Sequence, residues 1–356
     1  MPYLFSAGRF IISCLALFCL FASHQVKSED NLVVLLYHHV DTKTPPSTSI
    51  SPTQFAEHMA FLAANYQVVS LPEALTHIQN GESLPDKAVA ITFDDGFKNI
   101  LENGHPVLRQ HQFPYTVFVN PGAIGTQRNQ LTWDEVNLMQ KQGATFANHT
   151  MDHLHLLERK EGETQQQWLT RVWQNIDQAE QLITERTGQN YKMLAYPFGE
   201  YDSNIQQMLE QKGYVGLGQH SGAINRNTDL TALPRFPAAG RYANLKTLKT
   251  KLNSLAFDSI SSNIVNPDRL SDREFPLVQL SIDETDTRLG QAQCFFQGKS
   301  ISLERKENLL EFAPSIPLPV GRSRVNCTSP SVSEGGRYYW FSQPFFVSDS
   351  TGRYPD

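Results

Sequence analysis

Two adjacent carboxylates and a pair of histidines four residues apart are the side chains in this sequence best suited to chemistry. Asp94 and Asp95 sit in Thr92-Phe-Asp-Asp-Gly96, at the end of the apolar run Val89-Ala-Ile-Thr-Phe93. Neighbouring carboxylates repel, so a cation or a proton is expected beside them, and Gly96 lets the chain turn sharply behind them. Taken alone, the segment could equally be an Asx-type turn with both carboxylates in solvent. The histidines lie in Asn148-His149-Thr150-Met151-Asp152-His153. Four apart on a helical turn, they would face one way and share one ion, while His155 would point elsewhere. Such a pair also arises by chance. Joined to Asp95 it gives three protein ligands with positions left for water and substrate, as a catalytic Zn²⁺ site requires. The same donors accept Co²⁺, Ni²⁺ or Fe²⁺ according to supply.

A third segment, Ala195-Tyr196-Pro197-Phe198-Gly199-Glu200-Tyr201-Asp202, surrounds a Pro-Gly turn with aromatic residues. It could form a wall on which a sugar ring stacks, with a turn amide donating to an oxyanion. A hydrophobic turn that only packs is the plain alternative.

Each segment follows a short apolar run, and such runs alternate with helical patterns from Asn31 to about Phe257. Leu32-Val-Val-Leu-Leu-Tyr37, Val89–Phe93, Thr116–Val119, Ala144–Ala147, Met193–Tyr196 and Tyr214–Leu217 read as buried strands. Between them, Ser51-Pro52-Thr53-Gln54 and Thr132-Trp-Asp-Glu135 are helix starts with capping-box spacing, and Leu169 to Ile183 marks a long amphipathic helix ended by Gly188. The alternation predicts an α/β fold, barrel or open sheet, with its chemistry at the C-terminal strand ends. Residues 261–275 are polar and read as a linker. From residue 276 to 356 short strands and turns predict a small all-β module, stapled by Cys294 and Cys327 because so small a core is marginal.

The ends and the bulk composition agree with an exported protein. Arg9 followed by an apolar run to Ala22 predicts a signal peptide over residues 1–28, an uncleaved anchor being the alternative. Cys14 and Cys19 would leave with it, so Cys294 and Cys327 pair most simply with each other, as an oxidising compartment, periplasmic or extracellular, allows. The 356 residues have room for one large and one small domain, and the net charge of -6 gives no sign of a nucleic-acid partner.

The ordered set Thr92-Phe-Asp-Asp-Gly96, His149-Thr-x-x-His153 and Tyr196-Pro-Phe-Gly199 resembles the polysaccharide deacetylases of the NodB-homology type, carbohydrate esterase family 4. Tyr37-His38-His39-Val40 resembles the subgroup of poly-N-acetylglucosamine deacetylases. The likeness covers roughly Asn31 to Phe257. It implies a distorted (β/α) barrel that binds a divalent ion through Asp95, His149 and His153, with Asp94 as general base and the Tyr196 backbone amide at the oxyanion. Many members carry an arginine just before the Pro-Phe/Tyr-Gly turn; here that place is Ala195, and Arg235 in Leu233-Pro-Arg-Phe-Pro237 is the candidate substitute. For the general acid the resemblance points to His38, with His220 in Gly218-Gln-His-Ser-Gly222 as competitor. The expected activity is removal of N-acetyl groups from an N-acetylglucosamine-containing polysaccharide. A glycan-binding protein on the same fold would have no need of the base Asp94, and a metal-dependent O-acetyl esterase or other amidase would share the site.

Overall fold

The computed structural model describes residues 1, 3 and 31–355 of the chain. The export segment expected over residues 1–28 lies outside the described residues, residues 1 and 3 aside. Among the described residues no helix is long and apolar enough to cross a membrane.

Seven parallel strands form the wall that carries the site: β1 (Leu32–Tyr37), β2 (Ala88–Phe93), β3 (Tyr115–Val119), β4 (Ala144–Asn148), β5 (Met193–Ala195), β6 (Val215–Leu217) and β7 (Phe236–Pro237). They run in the order β7-β1-β2-β3-β4-β5-β6, and Gln67–Val68 adds a short parallel partner to β2. Every residue of β1, β2 and β3 is buried, which is why these runs are apolar throughout rather than alternating. The gap between β6 and β7 is spanned by one segment. Leu233 bridges Leu217 through Leu233 N–H to Gly216 O (2.8 Å) and Gly218 N–H to Leu233 O (2.9 Å). Three residues on, Phe236 and Pro237 pair with Leu35 and Leu36 of β1. Residues 233–237 therefore close the distorted (β/α) barrel of NodB type, and Arg235 sits within that closure.

Helices cover the wall as the caps predict. In α1 (Pro52–Asn65) the Ser51 hydroxyl accepts from Gln54 N–H and Pro52 occupies the first turn. In α4 (Trp133–Gln140) Thr132 and Glu135 complete a capping box, as do Thr164 and Gln167 in α5 (Gln165–Thr187). Helix α5 buries Trp168, Val172, Ile176 and Ile183 and ends at Gly188, where φ is +72°.

The all-β region begins earlier than the composition suggests. Strand β8 (Ser254–Leu255) pairs with β16 (Tyr338–Val347), and β9 (Ile260–Ser262) pairs with β10 (Val278–Ile282). Residues 261–275 are not a free linker. Asp268 bridges Phe346, Arg269 N–H donates to Phe346 O, and Phe275 is buried in the β core. The polar composition of the segment reflects loops that run over the module's surface, not detachment from it. Beside β16, β15 (Gly321–Pro330) pairs in turn with β11 (Gln293–Phe296), and Cys294 lies directly opposite Cys327 on these strands, disulfide-bonded. The bond thus ties two strands inside the core formed by Val278, Phe296, Val325 and Phe345. The module packs on the barrel: Trp340 stands edge-on to Phe236 and Phe346 edge-on to Tyr201.

Candidate active site and metal centre

The site is built on loops that leave the C-terminal ends of β1, β2, β4 and β5. Asp94 continues β2 by donating its N–H to Tyr37 O at 3.0 Å. At Asp95 the backbone turns into the left-handed region (φ +71°), followed by Gly96 at +69°. A side-chain residue at such a φ is strained, and strain of about 1–3 kcal/mol persists only where the surroundings impose it. The turn sends the two carboxylates to different partners.

Asp94 is fully buried and held by Arg235 in a two-pronged pair, Nη1 to Oδ1 at 2.7 Å and Nη2 to Oδ2 at 2.8 Å. The guanidinium is itself fixed by Gly218 O (2.9 Å to Nε) and lies 5.4 Å from the Phe118 ring centroid. Burial opposes the Asp94 charge, but Arg235 and then His149 outweigh it and hold the carboxyl below its usual range. Asp94 is therefore an oriented, ionised carboxylate.

Asp95 faces His149 and His153. Its Oδ1 lies 3.3 Å from Nε2 of each, and the three donor atoms all lie within 4.8 Å of one another. His149 Nδ1 is 2.7 Å from Ala195 O. A carbonyl can only accept, so Nδ1 carries the proton and Nε2 turns its lone pair toward Asp95. Asp95 Oδ1 and His149 Nε2 are both buried without a hydrogen-bond partner. Two buried acceptors facing each other are unfavourable unless a cation stands between them. Nitrogen, nitrogen and carboxylate oxygen in this cluster fit a divalent ion of the zinc class. Burial lowers the pKa of His149, but the carboxylates of Asp94 and Asp95 reverse this and raise it. His153 is lowered to about 4, by burial and then by His149.

The expected helical turn at His149–His153 is not what brings these rings together. The segment is a loop, with Thr150 at φ +66° and His153 at +54°. Three asparagines pin it. Asn120 donates to the carbonyls of His149 and Thr150, Asn148 Oδ1 accepts from Thr150 N–H, and Asn175 of α5 accepts from Met151 N–H. These anchors take the place of helical hydrogen bonds and aim both Nε2 atoms at Asp95.

The Tyr196 amide is also not where the sequence expectation put it. Its N–H donates to Leu217 O at 3.0 Å and so belongs to the β5–β6 ladder, while its hydroxyl donates to Thr231 O at 2.7 Å. Gly199 N–H bonds Tyr196 O, Glu200 N–H bonds Pro197 O, and proline has no N–H. That accounting leaves the Phe198 amide as the turn's candidate donor. Phe198 has φ +57°, stands edge-on to His153 at 4.6 Å and stacks on His155 at 3.7 Å. His155 Nδ1 lies 2.9 Å from Glu200, a fully buried carboxylate. The choice of the Phe198 amide over that of Tyr196, the His155–Glu200 pair and the pinning asparagines escape a reading of spacing, although Asn120 follows β3 as Asp94 follows β2 and Asn148 ends β4.

His38 follows β1 at the rim, half-buried, and its charge bears on Asp94, Asp95 and His153. His220 lies elsewhere, 6.0 Å from the Tyr201 ring, its Nδ1 buried without a partner. Burial and then the Arg324 charge push it down to about 3.

Comparison with known proteins finds relatives among the polysaccharide deacetylases. Residues 81–217 match the family described as polysaccharide deacetylase. A Bacillus subtilis (strain 168) protein, YxkH, provisionally named a polysaccharide deacetylase, is 29% identical over 206 residues, spanning 57% of this chain and 70% of that protein. The poly-beta-1,6-N-acetyl-D-glucosamine N-deacetylase of Staphylococcus epidermidis is 25% identical over 221 residues, 60% of this chain and 76% of its own length. Among solved structures, a Streptococcus pyogenes deacetylase in complex with acetate shares the fold. It superimposes with a TM-score of 0.56 at 21% identity, over 62% of this chain and 98% of that one.

Proposed function

We propose that this chain, whose residues 81–217 match the polysaccharide deacetylase family, is a divalent-metal-dependent hydrolase that removes N-acetyl groups from a polymer of N-acetylglucosamine. The observation that carries the proposal is one strand end with two carboxylates in opposite settings. Asp94 is locked to Arg235, and Asp95 Oδ1 is left unpaired opposite the unpaired Nε2 of His149. The polymer is supported by the name of the Staphylococcus epidermidis relative. The Cys294–Cys327 bond supports action in an oxidising compartment outside the cytoplasm.

A divalent ion held by Asp95, His149 and His153 would polarise the acetamide carbonyl and ease ionisation of the attacking water. Asp94, ionised and aimed by Arg235, receives the proton of that water as its oxygen bonds to the carbonyl carbon. The Phe198 N–H donates to the carbonyl oxygen as negative charge builds there. His38 gives a proton to the sugar nitrogen as the C–N bond breaks, releasing acetate and a free amine. His220, pushed to about 3, is neutral at working pH and has no proton of that acidity to give.

The test is acetate release from an N-acetylglucosamine oligomer by purified protein, before and after chelation and after re-addition of Zn²⁺, Co²⁺ or Ni²⁺. Loss on chelation and recovery on re-addition are expected. Acetate release that persists in the stripped protein would contradict the metal requirement, and its absence from every acetylated amino-sugar oligomer would contradict the reaction.

A further inference from the structure

The β module brings one strand to the rim of the Phe198 turn. Arg322 of β15 donates to Phe198 O and to Gln219 Oε1 (3.0 Å), and its guanidinium lies 5.8 Å from the Phe198 ring centroid. Two residues along the same face, Arg324 donates to Gln219 O at 3.2 Å. Gln219 in turn sits against Gly199, where a Cβ would come within 2.7 Å of it, so the contact requires glycine. Strand β15 is thereby tied to the turn beside His153.

Next to these contacts lies a cleft of about 260 Å³ lined by Phe198, Arg241, Tyr242, Arg322 and Arg324 among others. An adjoining cleft shares Tyr242 and Arg324 and adds Lys246 and Lys251. No Asp or Glu is among the described residues lining either one, although the chain as a whole carries a net charge of -6. Arg324 Nε is buried with no hydrogen-bond partner among the described residues. Burial, then the charges of Arg324 and Arg241, push Lys251 down to about 7. Lys251 is buried and Arg324 Nε is drawn out of water beside the exposed Arg241, an arrangement that an anion supplying both charge and acceptors would relieve.

We propose that these clefts form an anion subsite on the glycan path, taking a carboxylate or phosphate substituent on a sugar of the polymer whose acetamide reaches the Asp95–His149–His153 centre. The glycan path rests on the deacetylase reading; the anion site does not. The β module then selects for acidic glycans rather than merely covering the barrel.

Calorimetric titration of the full chain with three probes tests this: a neutral N-acetylglucosamine tetramer, a tetrasaccharide alternating N-acetylglucosamine with glucuronic acid, and inorganic phosphate. The acidic tetrasaccharide is expected to bind at least about tenfold more tightly than the neutral one, with a preference that falls as salt rises. Arg241, exposed and outside the catalytic machinery, can be changed without threatening the fold. Arg241→Gln should remove most of the preference while acetate release from the neutral tetramer stays within about twofold. Arg324→Gln should act in the same direction. Equal affinity for the two oligosaccharides, or a preference that survives both substitutions, overturns the proposal. Phosphate binding without preference for the acidic oligosaccharide overturns its placement on the glycan path. A preference found in protein that releases acetate from no oligomer leaves the anion site standing and removes the deacetylase reading.

Discussion

Asp94 and Arg235, 141 positions apart, meet through two parallel hydrogen bonds of 2.7 and 2.8 Å with both side chains fully buried. The arginine comes from the segment that joins β6 to β7, so the pair forms only when the barrel closes. Orientation of the base is in this way a consequence of completing the fold. Ala195 leaves no arginine beside the Pro-Phe-Gly turn, and Arg235 supplies the guanidinium from the segment that closes the barrel.

Removing that arginine separates its effects. Arg235→Met leaves a buried, unpaired carboxylate, which costs about 3–5 kcal/mol of stability when charged. In the native protein Asp94 sits below its ordinary 3.8, so its contribution to stability is present above pH 3.8 and lost as pH falls through the folded value. In the variant burial, the largest influence, is opposed only by His149 and His38, and the folded value rises. Stability should then fall as pH rises from about 4 toward 7, and the acid limb of kcat/KM should move to higher pH. Denaturation at several pH values and the pH–rate profile check both. An acid limb left in place contradicts the role of Arg235.

His38 and His220 are distinguished by leaving-group dependence. His38→Ala should lower kcat on acetamide by about 10²-fold with metal content unchanged, yet hydrolyse an activated acetyl ester nearly normally. His220 has its folded value depressed from 6.5 to about 3, so it stabilises the protein above pH 6.5 and the contribution is lost as pH falls toward 3. His220→Asn should therefore flatten the acid decline in stability, measured by denaturation midpoints at pH 7 and 4.5, with little effect on kcat. A leaving-group-selective defect in His220→Asn and none in His38→Ala would exchange the two roles.

Much of this site could be read from the sequence because buried parallel strands are apolar and the polar residues that end them stand out. Asp94, Asp95 and His149 follow such runs, and strand order then brings them together. Spacing was less informative where long-range hydrogen bonds decide the backbone. His149 and His153 suit a helical turn, yet Asn120 and Asn175, distant in sequence, hold them in a loop with two positive φ values. Tyr196 precedes the Pro-Phe-Gly turn, but the sheet ladder extends one residue past β5 and consumes its amide. The polar stretch 261–275 hides Phe275 and the Asp268 bridge, which fasten it to the β core. The cationic clefts were invisible for a related reason: Arg241, Lys251 and Arg324 converge only through the docking of β15.

The Cys294–Cys327 bond closes a loop with a sequence separation of 33 between two strands of a small core. In the chain-entropy model it stabilises the β module by about 3–4 kcal/mol. Cys294→Ala should lower the melting temperature, and thiol titration of denatured, unreduced mature protein, without residues 1–28 and so without Cys14 and Cys19, should find neither remaining cysteine free. Two titratable thiols would refute the bond.

The central claim is a division of labour in which Asp95, His149 and His153 hold the ion while Asp94 moves the proton. Its most direct test is the rate of acetate release from an N-acetylglucosamine oligomer by Asp94→Asn protein, loaded to the same metal-to-protein ratio as wild type. The account predicts full metal occupancy and a rate reduced by about 10²–10⁴-fold, since a base and not a ligand has been removed. A fully loaded variant that turns over at close to the wild-type rate, or one that cannot be loaded at all, would contradict it.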